Sequence, residues 1–298
     1  MSQPTTWSVE GKTVLITGGT HGIGLESAAV LAGLGARVII LGRDAGRVED
    51  ARAVVKTRSG ASAASYLCDF SSLRAVNRLA DEVLRDVPRL DVLINNAGSV
   101  HARRTLTEDG IEATFAVNHL AHFVLTQRLL PRLIDSAPAR IITVASGRHH
   151  KGTMDFDDLG FVRGYQILRA YGRSKLANVL FAAELARRLA GTRVTSNSVH
   201  PGRVATNIWS GAPTWAMPLI RFGLSRTFIT VEDGATPVIA LATRPDLVEV
   251  TGQYFDRLEG AQPSSLAKDR EVAARLWRES ERLTVRPEPS PAGPGRSS

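Results

Sequence analysis

The chain has 298 residues, 43% of them hydrophobic and 22% charged, with a formal net charge of +8 and one cysteine, Cys68. This balance suits a globular protein with a sizeable buried core, and a lone cysteine excludes an intrachain disulfide. The basic residues are scattered rather than striped, so the charge reads as a solvated surface that favours an anionic ligand, with no nucleic-acid partner expected. The start of the chain is polar, and its longest apolar-looking stretch, 28–42, is interrupted by Gly33, Gly35 and Arg37. The expectation is a cytoplasmic protein without an integral membrane segment.

Strands are predicted in order at 13–17 (TVLIT), 36–41 (ARVIIL), 65–68, 91–94 (DVLI), 140–145 (RIITVA) and 194–199. Helical patterns lie between them, near 22–34, 44–58, 72–86, 107–133 and 168–190. Several strands are apolar almost throughout, as parallel strands covered on both faces are. Such alternation predicts right-handed βαβ units and so an α/β fold, a doubly wound parallel sheet in three layers, α/β/α. A final strand is expected at 254–255 and an amphipathic helix at 265–283. No linker interrupts residues 1–285, read as a single domain; 286–298 is rich in Pro, Ser and Gly and reads as a disordered tail.

Between the first strand and first helix runs Thr17-Gly18-Gly19-Thr20-His21-Gly22-Ile23-Gly24. Glycines let a backbone approach a pyrophosphate closely, and the helix start offers free N–H groups. In the strand–turn–helix setting this predicts a Rossmann-type dinucleotide site, with Gly18, Thr20, His21, Gly22, Ile23 and Gly24 as contacts. A cofactor-selecting acid at the end of strand two would bond a ribose 2′-hydroxyl. That position holds Gly42, and Arg43 follows, so NADP is expected: an Arg fork grips a 2′-phosphate that an acid would repel. Asp44 is expected to cap the next helix.

Tyr171 is the one tyrosine of four with a lysine four residues on, Lys175, which puts both side chains on one helix face. A phenol of pKa about 10 needs a shift of about three units to trade protons near neutrality. Lys175 is a candidate cation; the chain uses only five lysines (12, 56, 151, 175 and 268) against 32 arginines. Ser146 follows the fifth strand, so its hydroxyl is expected at the carboxyl edge of the sheet, where ligands bind in open α/β folds.

The Gly-x-x-x-Gly-x-Gly spacing, Asn95-Asn96-Ala97-Gly98, Asn118, Ser146, Tyr171-x-x-x-Lys175 and Pro201-Gly202 together resemble the short-chain dehydrogenase/reductase family, over roughly 9–283. The runs 170–178 and 198–202, and Val117-Asn-His-Leu, resemble its retinol-dehydrogenase-like branch. The resemblance implies that Asn118, Ser146, Tyr171 and Lys175 are catalytic, Ser146 holding the substrate oxygen and Asn118 a water linked to Lys175. It implies that Lys175 also bonds the nicotinamide ribose, that Asp69 contacts adenine, that Asn95 helps bind the cofactor, and that Thr206 meets the carboxamide. A homo-oligomer is a further expectation.

His119 and His122 have helical spacing but no third ligand, so no metal is expected. His149 and His150 either line the substrate entrance or fill a loop with no role. The apolar stretch 207–228 reads as a lid over a hydrophobic carbonyl or alcohol substrate, or else as an interface. The expected function is an NADPH-dependent oxidoreductase acting on CH–OH or C=O groups. The alternative from another class is a non-catalytic NADP(H)-binding regulatory or scaffold protein.

Overall fold

The computed structural model describes residues 7–204 and 229–284. β1 (Thr13–Thr17), β2 (Arg37–Gly42), β3 (Ala64–Leu67), β4 (Val92–Asn95), β5 (Ala139–Val144), β6 (Val194–His200), β7 (Tyr254–Asp256) and β8 (Glu259–Ala261) form one sheet in the order β3-β2-β1-β4-β5-β6-β7-β8. Every pair is parallel except the β7–β8 hairpin. The reversal of strand order between β1 and β4 opens the crevice where a doubly wound sheet takes its ligand.

Alternate residues of each strand serve opposite faces. Leu15, Leu93 and Ile141 pack with α3 (Leu73–Asp86), α5 (Ala121–Asp135), α6 (Ile167–Arg188) and α8 (Arg270–Thr284). Val14, Ile16, Val92, Ile94 and Ile142 pack with α1 (Gly22–Gly33), α2 (Ala45–Ser59) and α7 (Val231–Thr243). Trp277 of α8 lies over Phe123 and Phe181, ring centroids 5.0 and 5.9 Å away, and so covers the outer faces of α5 and α6. No described helix is long and apolar enough to cross a membrane.

The α/β architecture is as expected, with several local differences. The helix expected over 107–133 begins late: 107–112 is a turn closed by a bridge between Leu106 and Glu112. Glu112 then caps α4 (Ala113–Phe115), its carboxylate accepting from the N–H groups of Thr114 and Phe115. A π-helical segment, Ala116–Leu120, leads on into α5. Helix α7 and strand β8 have no counterpart in the sequence reading; Pro237 inside α7 and the three-residue length of β8 hide their periodicity. Thr206, the stretch 207–228 and the tail 286–298 lie outside the described residues.

Candidate active site

β1 ends in Thr17, whose hydroxyl accepts from the backbone N–H groups of Asn96 and Ala97 at 2.8 and 2.9 Å. Asn96 donates its amide to the carbonyls of Thr17 and Gly18. This knot binds the glycine turn to the end of β4. At Gly24 a Cβ would stand 2.3 Å from the Gly18 carbonyl and 2.6 Å from Asn96 Nδ2, so only glycine lets α1 start this close to the turn. His21 precedes α1 with no side-chain cap, leaving the first N–H groups of the helix free for an anion.

Three nitrogen-rich side chains gather at the end of β2. Arg43 stands there, Arg47 lies in the first turn of α2, and His21 faces both; burial and the charges of Arg47 and Arg43 hold the imidazole pKa below its ordinary value. At Gly42 a Cβ would meet Thr20 Cγ2 at 2.4 Å, so the place where an acid would stand is taken by a methyl group. Asp44 caps α2 as expected, accepting from Arg47 N–H at 2.9 Å. Free helix N–H groups, close-packed glycines and this cationic corner fit a phosphorylated dinucleotide.

The second half of the site lies at the carboxyl edge of β5. Ser146 follows the end of β5, its Oγ accepting from Arg148 N–H at 3.2 Å, and Tyr171 is half-buried on α6. Lys175, one turn on, is buried; its Nζ donates to Val144 O at 3.0 Å and stands 5.8 Å from the Tyr171 ring centroid. The place of a Cβ on Gly98 is 3.5 Å from Asn118 Oδ1 and 3.8 Å from Lys175 Nζ, so these two groups converge beside the Asn95–Gly98 turn. Asn118 sits in the π-helical segment. Its amide donates to Ser99 O and Ser174 Oγ, and its Oδ1 accepts from Ser99 N–H at 2.7 Å.

Burial dominates the electrostatics here. Lys175 is pushed down to about 8 by desolvation. The Tyr171 pKa is raised by burial, an effect opposed by neighbouring Ser146 and the charge of Arg148. Among the protein's own groups burial outweighs the neighbouring charges, so the phenol sits above its ordinary value, while Lys175 donates to a carbonyl of β5.

The match to the short chain dehydrogenase model covers residues 12–216. The chain belongs to the short-chain dehydrogenase family. It is 44% identical to retinol dehydrogenase 14 of Mus musculus, over 92% of this chain and 86% of that protein. To retinol dehydrogenase 13 of Homo sapiens it is 40% identical, over 97% and 91%. This short-chain dehydrogenase is thus retinol-dehydrogenase-like. A solved structure from Mycobacterium Paratuberculosis is 33% identical with a TM-score of 0.75, covering 94% of this chain and 96% of that one. Another, the Pseudomonas aeruginosa RhlG/NADP active-site complex, is 28% identical with a TM-score of 0.67, covering 86% and 97%. Dehydrogenase or reductase chemistry with a nicotinamide cofactor goes with the family.

In this short-chain dehydrogenase Asn118, Ser146, Tyr171 and Lys175 come together, and Gly18, Thr20, His21, Gly22, Ile23, Gly24 and Arg43 line one turn and its flank. The Asn95 side chain is fully buried and donates to Thr126 of α5, while Asn96 donates to the glycine turn. Asp69 already accepts from Ser71 N–H and Oγ at 2.9 and 2.8 Å. His119 bonds Ser280 of α8 among aromatic rings. His122 donates Nδ1–H to Asn118 O and accepts at Nε2 from Thr17 Oγ1, 3.0 Å each, which fixes a neutral tautomer. Both are pushed down to about 3 by burial, and no metal cluster occurs among the described residues. The residues missed from sequence are Arg47, visible as a second arginine four positions after Arg43, and Thr17 and His122, whose partnership no spacing betrays.

Proposed function

We propose that this short-chain dehydrogenase is an NADP(H)-dependent oxidoreductase acting on the carbonyl or alcohol of an apolar small molecule, with Tyr171 as general acid/base. The observation that carries the reading is the convergence at the sheet edge of Tyr171, buried Lys175, whose Nζ stands 5.8 Å from the phenol ring centroid, and Asn118, with Ser146 at the end of β5. A bound nicotinamide dinucleotide supplies the hydride donor or acceptor and, when oxidised, a positive ring. Gly18 to Gly24 and the free start of α1 hold its phosphates, and Arg43, Arg47 and His21 hold a 2′-phosphate in place of the missing acid. The names of the retinol dehydrogenase relatives support an apolar alcohol or aldehyde as substrate.

Ser146 donates to the substrate oxygen and so aligns it with the Tyr171 hydroxyl. In reduction Tyr171 passes its proton to that oxygen, and in oxidation its phenolate takes the proton back. Lys175 is close enough to its own pKa to resupply a proton, and Asn118 holds the path beside it. Positioning two groups against one oxygen supplies much of the rate. The test is a carbonyl panel with NADPH and NADH side by side. NADPH-linked turnover that Tyr171→Phe abolishes, with NADPH binding retained, supports the reading. Tight NADPH binding with no carbonyl or alcohol turned over would overturn it.

A further inference from the structure

Arginines that leave the surface need partners, because a desolvated guanidinium without hydrogen bonds is costly. Among the described residues, each buried or half-buried arginine but one makes a side-chain hydrogen bond, although the Nε of Arg140 is also enclosed without a partner. Arg52 bonds Ala63 O and Glu49, Arg104 bonds Gly160 O, and Arg132 bonds Leu84 O and Val87 O. Arg140 bonds Leu241 O and Arg244 O, and Arg173 bonds Thr153 O, Asp158 O and Leu159 O. Arg148 is half-buried, and its Nε is fully enclosed yet has no partner. It forms no ion pair among the described residues. Residues 205–228 contain no Asp or Glu that could supply one.

Arg148, without an ion-pair partner among the described residues, has its backbone beside the reacting groups. Arg148 lies in the short 3-10 helix Gly147–Lys151, and its backbone N–H donates to Ser146 Oγ at 3.2 Å. Its carbonyl packs 3.2 Å from where a Cβ on Gly172 would stand, next to Tyr171. Its charge is felt by the phenol. The surroundings are basic: His150 and Lys151 follow it, and His200 Nε2 lies 3.2 Å from the Cβ place of Gly147. The carboxylate of this corner, Asp256, acts on His149, His200 and Tyr254 instead.

We propose that Arg148 is a specificity residue that binds an anionic oxygen group, a carboxylate in the first instance, carried by the substrate near its reacting carbonyl. This rests on the catalytic reading of Ser146 and Tyr171 and narrows it from apolar carbonyls to those with an acidic end. The guanidinium gains the bidentate partner it lacks, and the bound acid turns its carbonyl towards the Ser146–Tyr171 pair.

The experiment compares ortho-, meta- and para-formylbenzoate with their methyl esters, using NADPH and the full-length enzyme. A charge-assisted bond predicts that at least one acid is favoured over its ester by on the order of tenfold or more in kcat/KM, chiefly through KM. Arg148→Met should bring that ratio to within about twofold of one, and Arg148→Lys should restore part of it. Calorimetric binding of benzoate to the NADP complex gives a second readout independent of turnover, weakened about tenfold by Arg148→Met. No acid preference, a ratio unchanged in Arg148→Met, or benzoate binding that is absent or equal in both proteins would overturn the proposal. Esters still reduced by wild type and not by Tyr171→Phe would leave the catalytic reading standing in each of those cases. Loss of both acid and ester turnover with benzoate binding still dependent on Arg148 would strike the catalytic reading alone.

Discussion

At the β1–α1 turn the protein presents backbone and absence: glycines without side chains, helix N–H groups without caps, and arginines reaching in from the rim. At the β5–α6 corner it presents the reverse, polar side chains sunk in the core and each tied to a neighbour. Lys175 is held by Val144 O, and Asn118 by Ser99 and Ser174. The turn can admit a large anion because little there needs to move or be replaced. The corner can aim single protons because nearly every donor already has a direction. Tolerance at one and intolerance at the other should follow.

The largest contrast is expected from Tyr171→Phe, which removes one hydroxyl and leaves the ring. Turnover should fall about a hundred- to ten-thousandfold, while NADPH titration by fluorescence shows the turn still loaded. A comparable loss of cofactor binding would break the division between the two regions. Next in size is the shell supporting the corner. Trp277→Ala opens a cavity over Phe123 and Phe181 and should cost about 3–5 kcal/mol in denaturant unfolding, with the specificity between NADPH and NADH unmoved. Arg43→Glu tests the turn itself. It should weaken NADPH by on the order of tenfold to a hundredfold relative to NADH, about 1.5–3 kcal/mol, and leave kcat with saturating cofactor nearly intact.

The smallest effect is a pH dependence. His119 and His122 sit near 3 in the fold against about 6.5 in an unfolded chain. Below 6.5 the unfolded chain binds protons that the fold refuses, so stability is lost as pH falls through that window. Each histidine adds a slope of about 1.4 kcal/mol per pH unit there. His119→Phe should flatten the acid limb of an unfolding-versus-pH curve by about that much per unit. An unchanged slope would mean the imidazole charges without cost in the fold.

The two regions also differed in how far they could be read without coordinates. The turn is local: Gly18 to Gly24 and Arg43 lie within thirty residues or so of chain, and their spacing carries the geometry. Even there, alternation along β4 decides which amide faces the turn: Asn96 bonds it, while Asn95 bonds Thr126. The corner is assembled from five separate segments. Tyr171 and Lys175 share a helix face and could be paired by spacing, and Ser146 could be put at the sheet edge. The charge balance could not be read, since the depth at which a phenol or ammonium sits is set by packing from β5, α6 and the π-helical segment together. That segment was itself invisible, as an extra residue per turn leaves no mark in an apolar pattern. The fold class was legible because six apolar strands alternate with helices; α7 was missed because Pro237, in the middle of the helix, reads as a breaker.

The covering of α5 and α6 by α8 bears on how the polypeptide reaches this state at all. The ribosome releases the segment carrying Trp277 after everything it shields, so Phe123, Phe181 and the His119 ring stay wet through most of synthesis. An exposed aromatic seam of this kind is what holdase chaperones grip. Nascent chains stalled before residue 270 should therefore be captured by such chaperones and released once 270–284 has emerged.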